Sequence, residues 1–104
     1  MEGRKHTRFA VQLPVSFKED QISHGGTILN VSAEGCAITS ETVADVAVYV
    51  QLTMQLRERE EPVQVDLAAV RWSSAGRFGV EYIKMRPEQE ERLKNFVKIL
   101  ESTN

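Results

Sequence analysis

The sequence predicts a mainly β fold, a small closed barrel of six strands followed by one helix at the C-terminus. Apolar residues recur with a period of two along most of the chain, and short polar segments interrupt that pattern where tight turns would lie. Near residue 87 the period changes to about 3.6, which is typical of a helix. The length of 104 residues fits one domain with one core.

Six segments in which apolar and polar residues alternate are the predicted strands. They lie at residues 11–17, 27–32, 36–40, 48–56, 63–72 and 77–83. Polar or glycine-containing segments separate them, at residues 19–26, 33–35, 57–61 and 73–76. Short connections of this kind favour antiparallel neighbours.

The second predicted strand carries polar residues on one face. Strict alternation places Leu29 and Val31 inside, and Ile28, Asn30 and Ser32 on the opposite face. The polar groups of Asn30 and Ser32 would then lie side by side on the sheet, about 7 Å apart.

The fourth and fifth segments form the predicted long hairpin. Residues 48–56 have the longest alternation, with one buried and one wet face, and the charged run after them is the predicted hairpin tip. In the fifth segment the apolar phase shifts after Leu67, which predicts a bulge near Ala68 and Ala69.

The helix is predicted at residues 87–100. Pro87 suits the first helical position, and the acidic residues after it complement the positive end of the helix dipole. The apolar residues of one face are expected to pack against the barrel. They are Leu93, Phe96, Val97 and Leu100.

Composition excludes several classes of protein. The formal net charge of −2 argues against binding of bulk nucleic acid. No apolar run approaches the length of about 18 residues that spans a membrane, so membrane insertion is not expected. The N-terminus lacks the apolar core of a secretory signal, and a single Cys36 allows no internal disulfide, so the expected location is the cytoplasm. Positive charge is concentrated in residues 3–8, as a small anionic ligand would require.

Two motifs stand in a fixed order near the N-terminus. Arg4 and Arg8 form R-x-x-x-R, and Asn30, Ser32 and Gly35 form N-x-S-x-x-G. Each motif alone is common, whereas their order and separation are specific. With these motifs the chain resembles a PilZ domain.

The resemblance extends over nearly the whole chain. It includes the segments 67–72 and 78–82 and the Leu93-x-x-Phe96 pattern of the helix. It implies a six-stranded antiparallel barrel with a C-terminal helix, and a ligand, the bacterial second messenger cyclic di-GMP (c-di-GMP). Catalytic activity is not expected, because nothing in the sequence assembles a nucleophile, a base and an oxyanion hole. The chain departs from the usual pattern at Asn30, where Asp is commoner, and at Lys5, where Arg is frequent.

The arginines suit this ligand chemically. A guanidinium can grip a phosphate bidentately, bond the O6 and N7 edge of guanine, or lie flat on the purine. Arg4 and Arg8 are therefore expected to contact guanine and phosphate, with Lys5 as an auxiliary charge. Gly3 stands where relatives that hold two stacked ligands carry another basic residue, which favours one ligand per chain.

The remaining predicted site residues lie in the second motif and on the fifth strand. Asn30 can accept from guanine N1–H or N2–H, Ser32 can bond a phosphate or base edge, and Gly35 lets a backbone approach closely. Trp72 is a candidate wall beside the guanine.

Each of these residues also has a purely structural interpretation. Asn30 and Ser32 can satisfy a turn, Gly35 can supply a positive φ, and Trp72 can be partly core. Cys36 is expected to be a small buried hydrophobe rather than a nucleophile. His6 and His24 lack further ligands at suitable spacing, so no metal site is expected.

The expected mechanism is an ordering of the N-terminus. Residues 1–8 are predicted to be a flexible arm and residues 9–104 the barrel with its helix. On ligand binding the arm would order over the barrel and present a new surface to an effector protein in trans, in control of motility, exopolysaccharide or biofilm formation. The alternatives are a PilZ-like interaction module that binds no nucleotide, and a barrel for single-stranded nucleic acid, which the few aromatics and the negative charge disfavour.

Overall fold

The computed structural model describes residues 7–103, which form six strands and one helix. The strands in chain order are β1 Phe9–Glu19, β2 Ile22–Val31, β3 Gly35–Thr39, β4 Tyr49–Met54, β5 Val63–Ser74 and β6 Arg77–Lys84. The helix α1 spans Pro87–Thr103.

The strands close into an antiparallel barrel in the order β1-β2-β3-β6-β5-β4. Closure is made by β4 pairing back onto β1, with Val15 opposite Met54 and Phe17 opposite Leu52. A closed barrel leaves no edge strand with unpaired backbone groups, which suits a short chain with a single core. The predicted fold class, a six-stranded antiparallel barrel with a C-terminal helix, is confirmed.

Alternate residues of every strand fill the barrel with apolar side chains. Phe17 and Phe78 meet near its centre with their rings edge to face, 4.9 Å between centroids. Around them pack fully buried aliphatic residues from four further strands. They are Ile28, Ile38, Leu52, Val65 and Val70.

The first hairpin is tighter than predicted. The segment around His24 was expected to be a turn, but it continues β2, and the chain turns at Asp20 and Gln21. Both turn residues have positive φ, 52° and 70°. A two-residue turn of this kind matches the twist of the flanking strands. The glycines at 25 and 26 therefore belong to β2, where they pair with Ser16 and Val15 of β1.

The predicted alternation along the second strand is wrong for Ile28 and Leu29, whereas Val31 is buried as predicted. Ile28 and Val31 are both fully buried, whereas Leu29 and Asn30 are only partly covered. The register shifts on both sides of this segment, against β1 and against β3. A bulge inserts an extra residue into one strand of a pair and therefore reverses the faces of the residues that follow it.

In the hairpin of β4 and β5, the lengths of both strands differ from the prediction. β4 has only six residues, and β5 is the longest strand, with twelve. A loop after β4 replaces the predicted end of the strand, and the amide of Gln55 donates within it to the carbonyls of Arg57 and Glu60, both at 2.7 Å. The predicted bulge in β5 is confirmed by its pairing with β4, where two residues between Val65 and Ala68 oppose the single Gln51.

The helix covers the barrel beside β5 and extends three residues beyond its predicted end. Leu93 and Val97 are buried against the core, and Phe96 and Leu100 are partly buried beside them, as the apolar stripe predicts. The side-chain oxygen of Gln89 accepts from the backbone N–H of Gln64 on β5 at 2.8 Å. Within residues 7–103, no helix combines the length and apolar character needed to cross a membrane.

Candidate functional site

The candidate site is a pocket on the outer face of the barrel beside the β2–β3 turn. Residues from the start of β1, the β2–β3 turn, β3, β5 and β6 line it. They are Arg8, Ser32, Glu34, Gly35, Arg71, Trp72, Val80 and Glu81. Four of the predicted site residues, Arg8, Ser32, Gly35 and Trp72, therefore share one pocket although they are far apart in sequence, whereas Asn30 lies beside it, bonded to Arg8.

Strand register explains the shape of this surface. Trp72 pairs with Gly79, Gly79 with Ala37, and Ala37 with Asn30. Paired residues project to the same side of a sheet, so these four form one row across β5, β6, β3 and β2. The two central residues, Gly79 and Ala37, are small and buried, and Trp72 and Asn30 stand at the two ends of the row.

Arg8 and Asn30 are joined directly. The guanidinium Nη1 of Arg8 donates to Oδ1 of Asn30 at 3.3 Å. Their meeting follows from the hairpin, because Ala10 of β1 pairs with Asn30 of β2. Arg4 and Lys5, which are also predicted site residues, lie outside the described residues.

Ser32 does not lie beside Asn30 on an open face, contrary to the prediction. It is buried, 3% exposed, because β2 ends at Val31 and Ser32 lies within the β2–β3 turn. Its hydroxyl accepts from the backbone N–H groups of Glu34 and Gly35 at 3.1 and 3.2 Å, and donates to the carbonyl of Gly35 at 3.3 Å. The motif serine therefore holds the β2–β3 turn together, which is its predicted structural role.

Gly35 allows a close backbone approach, and the structural alternative of a positive φ is wrong, because among the described glycines only Gly76 has one. A Cβ built on Gly35 would lie 2.1 Å from the carbonyl oxygen of Val80. The backbone that approaches Gly35 thus belongs to the neighbouring strand β6.

Trp72 lies on the outer face of β5 and is 38% exposed. Its indole covers Gly79, where an added Cβ would lie 2.0 Å from the indole Nε1. Val70 and Trp72 would lie on the same face if the residues alternated strictly. The register against β6 shifts between them, so Val70 points into the core while Trp72 stays outside. One part of the indole therefore remains available to a flat ligand.

An ion pair that the sequence prediction missed completes the pocket. Nε of Arg71 donates to Oε1 of Glu81 at 2.8 Å across β5 and β6. Both side chains are about half exposed, at 56% and 53%. The sequence indicates only that each residue lies on the outer face of its strand, because Arg71 precedes Trp72 and Glu81 stands between the core residues Val80 and Tyr82. It does not indicate that the two side chains meet.

Comparison with protein families decides what kind of barrel this is. The sequence model of the PilZ domain matches residues 2–98, nearly the whole chain. The chain belongs to the PilZ domain family. PilZ domains are regulatory domains that bind c-di-GMP as a ligand, and they are not enzymes. No curated protein sequence matches the chain.

Solved structures with the same fold include three PilZ proteins. The inhibitor of motility MotI/DgrA of Bacillus subtilis superposes with a TM-score of 0.81 at 18% identity over 100% of this chain, which spans about half of that protein, 54%. The PilZ domain of CeSA from a cellulose-synthesizing bacterium gives 0.70 at 18% identity, covering 91% of this chain and 98% of that one. The PilZ domain of Escherichia coli YcgR with c-di-GMP gives 0.69 at 14% identity, covering 98% and 94%.

Cys36 of this PilZ domain is a core residue, as predicted, with none of its surface exposed. Burial raises the pKa of its thiol to about 12, although a hydrogen bond with Tyr82 and the positive charge of Arg8 oppose that rise. Burial likewise raises the pKa of Tyr82 well above its ordinary value, with Cys36 adding to the effect. A thiol held protonated in this way is a poor nucleophile.

The histidine that the structure describes has a packing role. The ring of His24 lies against Phe17, 5.3 Å between centroids. His6 lies outside the described residues. Among residues 7–103, no three or more His, Cys, Asp or Glu side chains are grouped so as to hold a metal ion.

Proposed function

We propose that this PilZ domain is a c-di-GMP receptor whose ligand lies in the pocket between Arg8 and Trp72. The observation that carries the proposal is the convergence of Arg8, Asn30 and Trp72 on one surface, with Arg8 already hydrogen-bonded to Asn30 at 3.3 Å. A cation, an amide and an aromatic face are the groups that a guanine nucleotide with phosphodiesters requires.

Arg8 is the central residue of the proposal. Its guanidinium has five N–H donors, and the contact with Asn30 uses one of its nitrogens, so the others can grip a phosphate or the O6 and N7 edge of guanine. Arg4 and Lys5 precede it in the segment outside the described residues and would add positive charge against the two phosphodiesters.

Trp72 and Asn30 supply complementary contacts to different parts of the ligand, because they lie at opposite ends of a row that spans four strands. The exposed part of the Trp72 indole offers a stacking face, and the Asn30 amide offers an acceptor at the other end of the same row. Ser32 and Gly35 act indirectly in this proposal, because the serine hydroxyl is engaged within the turn and the glycine faces β6. They hold the surface on which Arg8 and Asn30 meet.

The proposal includes a closing step at the N-terminus. The arm of residues 1–8 would close over the pocket when the ligand binds, with Arg8, already bonded to Asn30, at its base. Each residue newly fixed by binding carries a conformational cost of about 1–2 kcal/mol. Micromolar binding corresponds to a net free energy of about −8 kcal/mol. The charge-assisted hydrogen bonds to the ligand must therefore contribute more than this amount plus the ordering cost. The closed arm then forms a new surface for an effector protein in trans, with one ligand bound per chain.

Calorimetric titration of c-di-GMP tests the receptor function. The wild-type chain and Arg8→Ala are titrated with c-di-GMP, and GTP serves as the control nucleotide. Arg77→Ala is the matched control variant, because Arg77 is also an exposed arginine but lies outside the pocket. We expect the wild-type chain to bind c-di-GMP with a micromolar or lower Kd at one ligand per chain. Arg8→Ala should raise the Kd at least about tenfold, and Arg77→Ala should leave it unchanged.

Two results would contradict the proposal. A folded wild-type chain that releases no heat with c-di-GMP would leave the protein-interaction module as the better description. Equal losses in Arg8→Ala and Arg77→Ala would show that the ligand responds only to total charge and not to this pocket.

A further inference from the structure

The ion pair between Arg71 and Glu81 lies inside the ligand pocket, although neither residue belongs to the two sequence motifs. A carboxylate is an unexpected neighbour for a ligand with two negative phosphodiesters, because like charges repel. Glu81 therefore needs either a purely structural explanation or a contact with a part of the ligand that donates hydrogen bonds.

Guanine has such a part. Its Watson–Crick edge offers two adjacent donors, N1–H and the N2 amino group, which a carboxylate can accept in parallel. A charge-assisted acceptor is stronger than a neutral amide. In this chain the motif position that is commonly Asp is Asn30, and its Oδ1 already accepts from Arg8.

The spacing on β6 suits a base that reaches from Trp72 to Glu81. Trp72 lies over Gly79, and Glu81 follows Gly79 by two residues on the same outer face. Residues two apart on a strand are separated by about 7 Å, which is comparable with the width of a purine. A guanine stacked at Trp72 therefore presents its edge near the carboxylate.

We propose that Glu81 is the guanine-reading residue of this site, accepting from N1–H and N2–H, and that Arg71 positions its carboxylate. This inference rests on the proposed binding of c-di-GMP. A carboxylate can accept at about four lone-pair positions, and the contact with Arg71 uses one oxygen, Oε1. Arg71 also offsets the charge of Glu81, so the pair as a whole does not repel the phosphodiesters.

The variant Glu81→Gln separates this role from a structural one by the sign of its effect. If Glu81 accepts from guanine, replacing one carboxylate oxygen by an amide NH2, which cannot accept, weakens binding of c-di-GMP. If Glu81 is only a negative charge paired with Arg71, removing that charge strengthens binding of an anion. Because exposed ion pairs contribute at most about 1 kcal/mol to stability, the variant is expected to fold.

The experiment measures nucleotide selectivity by calorimetry. Cyclic di-GMP and cyclic di-IMP, which lacks the N2 amino group, are titrated into wild type, Glu81→Gln and the control Asp66→Asn. Asp66 is also an acid near an exposed arginine, Arg86 at 4.0 Å, but lies outside the pocket. We expect Glu81→Gln to bind c-di-GMP about tenfold more weakly and to lose most of the preference over cyclic di-IMP, whereas Asp66→Asn retains both.

A double-mutant cycle tests the positioning role of Arg71. Arg71→Gln should weaken c-di-GMP binding in the wild-type background by about threefold and have no further effect in Glu81→Gln. If wild type binds c-di-GMP but Glu81→Gln binds it equally or more tightly with unchanged selectivity, the inference is overturned and the receptor function stands. If wild type does not bind, the receptor function fails and the inference fails with it.

Discussion

Replacement of Gly35 by alanine would press the new methyl group into the neighbouring strand. The Cβ would lie 2.1 Å from the carbonyl oxygen of Val80, 3.2 Å from its carbonyl carbon and 3.3 Å from Cα of Glu81. All three atoms belong to the backbone of β6, so no side-chain rotation relieves the contact. A carbon and a carbonyl oxygen in van der Waals contact are separated by about 3.3–3.6 Å, so β3 and β6 must separate by roughly 1 Å.

That separation has a calculable effect on stability. Overpacking of this kind costs about 1–3 kcal/mol, and weakening one backbone hydrogen bond of the ladder adds about 0.5–1.5 kcal/mol. The sum is about 1.5–4.5 kcal/mol. For a domain of this size each kcal/mol lowers the Tm by about 4–8 °C, so Gly35→Ala should melt at least about 6 °C below wild type.

Thermal unfolding followed by far-UV circular dichroism measures the effect, with Gly25→Ala as the matched control. Gly25 also lies in a strand, but a Cβ there meets no atom within 4 Å. Its replacement should leave the Tm unchanged or raise it slightly, because alanine restricts the unfolded chain. A normal Tm for Gly35→Ala together with lost c-di-GMP binding would refute the reasoning, since it would show that Gly35 makes room for the ligand and not for β6.

Three further predictions concern stability. Ser32→Ala removes the acceptor of two backbone N–H groups and should lower the free energy of unfolding by about 1–3 kcal/mol in urea titrations; an unchanged midpoint would contradict the turn role. The raised pKa of Cys36, about 12 against 9.0, means that the folded state keeps a proton that the unfolded state loses. Stability should therefore fall as the pH rises through that interval, by up to about 1.4 kcal/mol per pH unit, with a shallower fall in Cys36→Ala. Leu93→Ala, at a fully buried helix position, should cost about 2–5 kcal/mol, whereas the exposed Lys94→Ala should stay within about 0.5 kcal/mol; equal midpoints would mean that the helix does not stabilise the barrel.

The N-terminal motif and the second motif were accessible from sequence because their chemistry is local. A guanidinium and an amide are informative wherever they stand, and the pairing of β1 with β2, with Ala10 opposite Asn30, brings Arg8 and Asn30 within hydrogen-bond distance. The role of Ser32 and Gly35 was not accessible in the same way. Whether a serine faces a ligand or a turn, and whether a glycine faces solvent or a strand, depends on the neighbouring backbone.

The bulges show the same limit. Strict alternation predicted the wrong face for Leu29, because alternation assumes that each residue opposes one residue of its partner strand. The register against β3 passes from Ile28 opposite Ile38 to Asn30 opposite Ala37, so one residue of β2 is left over. Nothing in the sequence of β2 alone specifies that mismatch.

By itself, the sequence determined the six strands, the helix, the closed antiparallel barrel and the family, because period and motif spacing are properties of short segments. Only the tertiary structure decided that Trp72 lies over Gly79, that Gly35 faces β6, and that Arg71 and Glu81 pair inside the pocket. These contacts join strands through their register. Register is set by the closure of the whole barrel and cannot be read from any one strand.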